Sequence, residues 1–506
     1  MAVYLALSAI AIGILLRFVT ASPLWLDEAL TVNISSQPVG DLLVSVRNDG
    51  HPPLYYLLLH YWISLFGDGD LAARALSGLL GVGLIPLVWI AARRIGGNRA
   101  GAIAAVLASL TPFLVHYSTE ARMYSLVSLL ATAAWLVGVR AVEVSRPRDL
   151  ALLAVLVSLL LWTHYWAIWL VMAAASILIA KVARARLSDD SSTGRPAALT
   201  LGALMAGSLS FTPWLPSLLF QQRHTGTPWL EPAGLVSALS EMAGTLGGFF
   251  SEEAMLFGWL LLAAAAVGPW LRSTSPWVWV LDLKAPGRTE GRALAVLVVG
   301  TLAYGWVLGF IFGAGFAGRY SAVVVPFVVV LAGAALAELQ PRFVGMLALA
   351  ALLYLGAGGL ELNAFASRTD ARRNALAIMD AGEPGDVVAY CPDLSGPSTS
   401  RELDGEFVQV TFPDLQAPGL INWVDYRSRA AARPPGEFAR SVEDLARGQS
   451  IFVVQSNAHN TDGAVCNEVL ELLSRNREVQ TLEVEGTAFD SASVVHLSEP
   501  QATDAG

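Results

Sequence analysis

Apolar residues in this chain come in long blocks, and polar residues gather in the gaps between them. The first block covers residues 3–20. Others follow at 71–92, 100–115, 123–142, 150–164 and 166–182, then at 197–219, 254–271, 293–313, 320–336 and 343–362. Most reach or approach the roughly 20 residues that span a bilayer core. The pattern therefore predicts a polytopic α-helical membrane protein with about eleven transmembrane helices. The first block has no basic flank and carries Arg17 late in its run, so it reads as an uncleaved helix rather than a signal peptide. The connection 21–70 is different in kind. Its stretches 38–46 and 52–66 predict short helices lying on the membrane surface, because Tyr, His and Trp crowd the second and aromatic rings favour the interface.

Beyond residue 362 the pattern shortens. Helices are predicted at 369–381 and 466–476, strands at 387–391, 451–455, 479–484 and 493–497, and loops at 392–397 and 432–436. The chain thus divides into a membrane domain, 1–362, and a small α/β domain, 363–506.

Composition supports this division. The chain is 55% hydrophobic and 14% charged, where soluble chains run near ~25% charged. Its 30 Arg against 2 Lys suggest a GC-rich bacterial genome. From residue 363 onward 22 acidic residues face 11 basic ones, while the preceding part holds 19 and 21. The tail is an acidic, water-facing unit, and nothing in this balance points to nucleic acid. With the N-terminus in the cytoplasm, inward connections hold fifteen basic residues and outward ones five. That bias orients the chain in a bacterial plasma membrane. An odd number of spans then puts the tail and the 21–70 loop outside. Both cysteines, Cys391 and Cys466, lie in the tail. There they form either one disulfide or two buried thiols. The seven histidines lack zinc-ligand spacing.

The outward connections gather the chemistry. Asp27 and Glu28 are adjacent just past the first block, followed by His51 and Tyr55. VHYSTEARMYS brings His116, Tyr117, Glu120 and Arg122; THYW brings His164 and Tyr165; QQRHTGTPWLEP brings Arg223, His224 and Glu231; GAGFAGRYSAV brings Arg319 and Tyr320. Arg17, near the same interface, is placed either to pair with Asp27 or Glu28 or to meet a lipid head. Arginine suits phosphate, aromatic faces suit sugar rings, and carboxylates deprotonate or hold hydroxyls. Glycosyl transfer from a lipid phosphate needs all three. A transporter or flippase of a lipid-linked or envelope glycan precursor is the alternative. It predicts charges deep in spans and an internal repeat, and neither is seen. An envelope-binding factor with the tail as its active part is a third reading.

LWLDEALT, HPPLYYLLLHYW, HYSTEARMYSL, THYWAIWLV and GRYSAVVVPFVVVL resemble the motif blocks of the GT-C membrane glycosyltransferases. The branch resembled is that of the dolichyl-phosphate-mannose protein mannosyltransferases and the bacterial aminoarabinose transferase, family 39 and its relatives. The resemblance covers residues 1–337. It implies a polyprenyl-phosphate-linked donor, transfer to a hydroxyl on the outer face, and inversion at the anomeric carbon. By position it makes Asp27 the base with Glu28 beside it, relatives differing on which of the two adjacent acids is essential; it counts Glu120 as a third catalytic acid, puts Glu120 and Arg122 in the pocket, and sets Arg319 and Tyr320 near the donor phosphate. Arg17 joins the lipid-phosphate set, and His51, Tyr55, His116, Tyr117, His164 and Tyr165 the substrate-binding set. The sugar is mannose or another hexose or pentose. The acceptor is a glycan, glycolipid or protein. No cofactor is implied, and a divalent cation is admissible but not predicted. Oligomeric state is left open.

Overall fold

A computed structural model of the chain describes residues 2–225, 233–249, 251–283, 289–311, 313, 315–456 and 463–500. Helix α1 (Ala2–Leu16) leads into α2 (Leu26–Ser35), α3 (Val39–Asp49) and α4 (Leu54–Phe66). Then come α5 (Asp70–Leu110), the short α6 (Pro112–His116), α7 (Tyr124–Val144), α8 (Pro147–Thr163), α9 (Trp166–Leu187), α10 (Ser191–Leu209) and α11 (Leu215–His224). A second set follows: α12 (Leu235–Gly247), α13 (Glu252–Val267), α14 (Thr289–Ile311), α15 (Val325–Glu338) and α16 (Arg342–Phe365).

Among the described residues six helices are long and apolar enough to cross a membrane, or seven if the bent pair α12–α13 counts as one span. That measure falls short of the eleven expected for two reasons. Helices α1, α8 and α15 are shorter than eighteen residues, and α5 joins two of the expected blocks. Gly97 breaks α5 at a left-handed φ of 77°, a conformation open to glycine, and the chain folds back on itself there. A Cβ at Gly101 would lie 3.0 Å from the Trp89 carbonyl. Outward faces are apolar, with Leu5 and Leu15 on α1, Val299 and Phe310 on α14, and Leu347 and Tyr354 on α16 exposed. Helix α15, apolar all round, is buried from Val325 to Leu336. Its Gly333 lets it press against Ala104 of α5.

Basic connections converge at one end of this bundle. Arg94 pairs with Glu143 and Glu290, and Arg99 donates to the carbonyls of Ala337 and Arg342. At the same end is a hairpin that the pattern did not predict, β1 (Leu271–Ser275) and β2 (Val278–Leu281).

The boundary expected at 362/363 falls inside α16, which runs on to Phe365. After it come α17 (Ala371–Ala381), β3 (Val387–Cys391), α18 (Gly396–Glu402), β4 (Val408–Thr411), α19 (Tyr426–Ala432), α20 (Pro435–Ala446), β5 (Ile451–Gln455), α21 (Gly463–Leu473), β6 (Val479–Glu483) and β7 (Ser493–Leu497). The five strands make one mixed sheet in the order β4-β3-β5-β7-β6. β4, β3 and β5 run parallel, and β7 pairs antiparallel with both β5 and β6. Alternate residues face opposite ways, so Val387, Ala389 and Val453 pack under α20 and α21 while Val388, Tyr390 and Phe452 pack under α17. Cys391 and Cys466 are joined in a disulfide with Cα atoms 5.5 Å apart. β4, α18 and α20 lie where only loops, or nothing, had been expected. The unit is not separate from the bundle, since Leu394, Ile421, Trp423 and Tyr426 belong to the membrane domain's core.

Candidate active site

The site is built around the first turn of α2. Trp25 is extended (φ −80°, ψ 170°), so the helix starts at Leu26 and Asp27 and Glu28 fall in its first turn, where carboxylates suit the helix dipole. Successive helical residues point about 100° apart, and the two acids part company. Glu28 turns inward and is fully buried. Arg74 meets it with both arms, Nε to Oε1 at 2.8 Å and an amino group to Oε2 at 2.5 Å. Oε1 also accepts the Ala121 amide at 2.9 Å. Asp27 turns to a cavity of about 510 Å³, and its side chain is 19% exposed. Arg319 lies 3.3 Å and Arg122 3.5 Å from its Oδ2.

Arg122 is fixed from three sides. It donates to the Thr31 hydroxyl at 2.8 Å and to the Asp27 carbonyl at 3.3 Å, and it stands 3.4 Å from His51 Nε2. His51 is oriented in turn by Asp49, whose Oδ2 takes the ring at 3.0 Å and the Tyr56 hydroxyl at 2.5 Å. Burial would push the Asp49 carboxyl up, but the bond from His51, the nearby Arg122 and the Tyr56 hydroxyl together hold it below the usual range. Glu120 forms another wall. It accepts from the Trp25 indole at 3.1 Å and sits 3.1 Å from His116 Nε2. Burial raises its pKa, yet His116, Arg368 and Arg122 bring it down to about 2.

The predicted residues separate into three groups. Asp27, His116, Tyr117, Glu120 and Arg319 line the large cavity. His51, His164, Tyr165 and Tyr320 line a second one of about 220 Å³, with Trp166 and Trp306. Arg122 stands between them, reaching Asp27 on one side and His51 on the other. Arg17 and Tyr55 line neither. Arg17 is a correction: among the described residues it pairs with no carboxylate, and it is buried, donating to the carbonyls of Gly13, Ala108 and Ser109. A guanidinium so occupied inside the bundle has no reach to a lipid phosphate. Tyr55 is likewise buried and bonds Ser77 at 2.8 Å. His224 pairs with Asp425 of the tail, and Glu231 lies outside the described residues.

Residues that the sequence did not mark complete the cavity. Arg368, three residues past α16, donates to Thr119 Oγ1 at 2.5 Å and to Asn363 Oδ1 at 2.8 Å. It also stands 3.7 Å from Glu28 and 3.9 Å from Glu120. Glu241 of α12 accepts the Gly318 amide at 2.7 Å and so holds the turn that carries Arg319. Leu394, Trp423, Thr487 and Phe489 of the tail close the cavity from above. No local pattern sets Arg368 apart from the exposed Arg372 and Arg373. Among the described residues no three His, Cys, Asp or Glu side chains stand together as metal ligands.

Bundle, buried ion pairs and cavity together define a polytopic membrane protein with the fold of the GT-C glycosyltransferases. Residues 50–215 match the model of a family described as dolichyl-phosphate-mannose-protein mannosyltransferase. Among solved structures the chain is similar to ArnT from Cupriavidus metallidurans in the apo state, at 14% identity and a TM-score of 0.60 over 98% of each chain. The same protein bound to undecaprenyl phosphate aligns at 13% identity and 0.57 over 97% of each. The Archaeoglobus fulgidus oligosaccharyltransferase tethered with an acceptor peptide aligns at 11% and 0.52, over 98% of this chain and 74% of that one. No curated protein sequence matches.

Proposed function

We propose that this protein moves a sugar from a polyprenyl-phosphate donor to a hydroxyl acceptor on the outer face of the membrane, with Asp27 as the base. The observation that carries the reading is the setting of Asp27. It is the one acid of the adjacent pair that faces the cavity, and two guanidinium groups flank it. In the reaction the acceptor oxygen bonds to the anomeric carbon as the bond from that carbon to the phosphate oxygen breaks, with inversion. Asp27 takes the acceptor proton, and the charge left on the polyprenyl phosphate falls to Arg319 and Arg122. Fixed cations aimed at a developing charge act strongly in a site shielded from water. Glu28, spent on Arg74 and the Ala121 amide, is assigned to architecture. Glu120 and His116 shape the cavity wall. The family match over residues 50–215 and the undecaprenyl phosphate in the ArnT structure support a lipid-phosphate donor.

The sugar is taken as mannose or another hexose or pentose. The eleven-span count, the outward site and the extracytoplasmic tail belong to the same proposal. Asp27→Asn keeps the shape of the side chain but cannot accept a proton. Single-turnover transfer from polyprenyl-phosphate-mannose should therefore fall by ~10² or more, while undecaprenyl phosphate still binds. Near-normal transfer by this variant would remove Asp27 from the chemistry.

A further inference from the structure

The helix that carries Asp27 begins without a cap of its own. Its N-cap residue, Trp25, has no side-chain oxygen to receive the first-turn amides, and such amides need an acceptor. The acceptor comes from the far end of the chain. Asp490 Oδ2 lies 3.1 Å from the Leu26 amide. The same oxygen accepts the Ser398 hydroxyl at 3.1 Å, and Asp490 is 3% exposed.

The loop holding Asp490, between β6 and β7, is itself pinned. The Asp490 amide donates to the Arg368 carbonyl at 2.9 Å, and its carbonyl accepts from the Asp370 amide at 3.1 Å. Asp370 accepts the Gly486 amide at 3.0 Å, and a Cβ at Gly486 would come within 2.8 Å of both Asp370 carboxylate oxygens. The neighbouring Phe489 packs edge-on against Trp25, ring centres 5.4 Å apart. Residues 489 and 490 therefore grip 25 and 26, immediately ahead of Asp27. A carboxylate also suits the positive end of the α2 dipole.

We propose that Asp490 is a positioning residue for the transfer reaction: the C-terminal unit supplies the cap that fixes where α2 starts, and with it the register of Asp27 against Arg319 and Arg122. The proposal rests on Asp27 being the base. It gives the tail a part in the chemistry that the acidic composition alone did not suggest.

The test uses the full-length protein in detergent with Asp490→Ala and Asp490→Asn. Alanine removes the acceptor and asparagine keeps one. In the alanine variant, hydrogen exchange of the amides at 26–29 should rise at least tenfold, with the sheet amides of β3 and β5 unchanged. Its kcat for polyprenyl-phosphate release from polyprenyl-phosphate-mannose should fall at least tenfold, with KM and undecaprenyl phosphate affinity within about twofold. Asparagine should restore both readouts to within about threefold of the native protein. Unchanged exchange at 26–29 in the alanine variant overturns the cap, as does an asparagine variant no better than alanine. Raised exchange with unchanged kcat overturns the positioning role. If Asp490→Ala fails to accumulate, Asp490→Glu carries the test. Its extra methylene takes the carboxylate past the amide, so kcat should fall at least threefold at constant KM, and full kcat overturns the proposal. The exchange measurement needs no turnover, so a failure of Asp27 as base leaves the cap separately decided.

Discussion

Asp27 and Glu28 are the same chemistry one residue apart, and the helix sends them to opposite fates. Glu28 is fully buried and held by Arg74 and a backbone amide. Breaking such a pair from one side leaves the other charge buried and uncompensated, a loss of about 3–5 kcal/mol. Glu28→Gln should therefore lower the stability of the purified protein by about 3 kcal/mol in thermal or denaturant unfolding. The fraction that remains folded should keep transfer within about threefold of the native rate. Asp27→Asn should show the reverse, a stable protein with little turnover. If Glu28→Gln unfolds like the native protein yet loses transfer, the two roles are exchanged.

At the scale of elements, small residues decide how closely helices meet, and closeness sets the site. α15 can lie against α5 because Gly333 has no side chain; a Cβ there would stand 2.7 Å from that of Ala104. Close approach over small residues is a principal source of packing between membrane helices. The turn holding Arg319 runs directly into α15, so moving that helix moves a cation of the site. Gly333→Leu should cost about 2 kcal/mol from overpacking and weaken undecaprenyl phosphate binding about tenfold. Gly358→Leu, on α16 with open space around it, is the matched control and should change neither. Equal affinity in both variants would uncouple the α5–α15 contact from the phosphate site.

For the whole molecule, orientation governs where the reaction takes place. The basic ends gather away from Asp27, with Arg94 and Arg99 at one pole and the tail at the other. A phosphatase reporter fused after residue 500 should be active outside the cytoplasm, and one placed after residue 97 should be silent. The opposite pair of results would put the Asp27 loop on the cytoplasmic side and remove the outward reading. On the same outward reading, Cys391 and Cys466 should resist alkylation in intact cells until reduced, because an oxidising compartment preserves a disulfide.

Blocks of apolar sequence gave the helices, because burying backbone in lipid leaves few alternatives. The β-branched, unbroken runs 387–391 and 451–455 gave two central strands of the sheet to the residue. The sequence also marked Asp27, His116, Tyr117, Glu120 and Arg319, which line the large cavity, since charge near a span is costly enough to stand out. Which of two adjacent acids faces the cavity was not legible, because that depends on where α2 begins, and α2 begins where Asp490 caps it. Arg17 looked like a lipid ligand because sequence cannot reveal that three carbonyls of the folded bundle already occupy it. Arg368 lies 249 residues beyond Thr119, Asp490 lies 464 beyond Leu26, and Glu241 lies 77 ahead of Gly318. Only the folded chain brings them within hydrogen-bond or ion-pair reach.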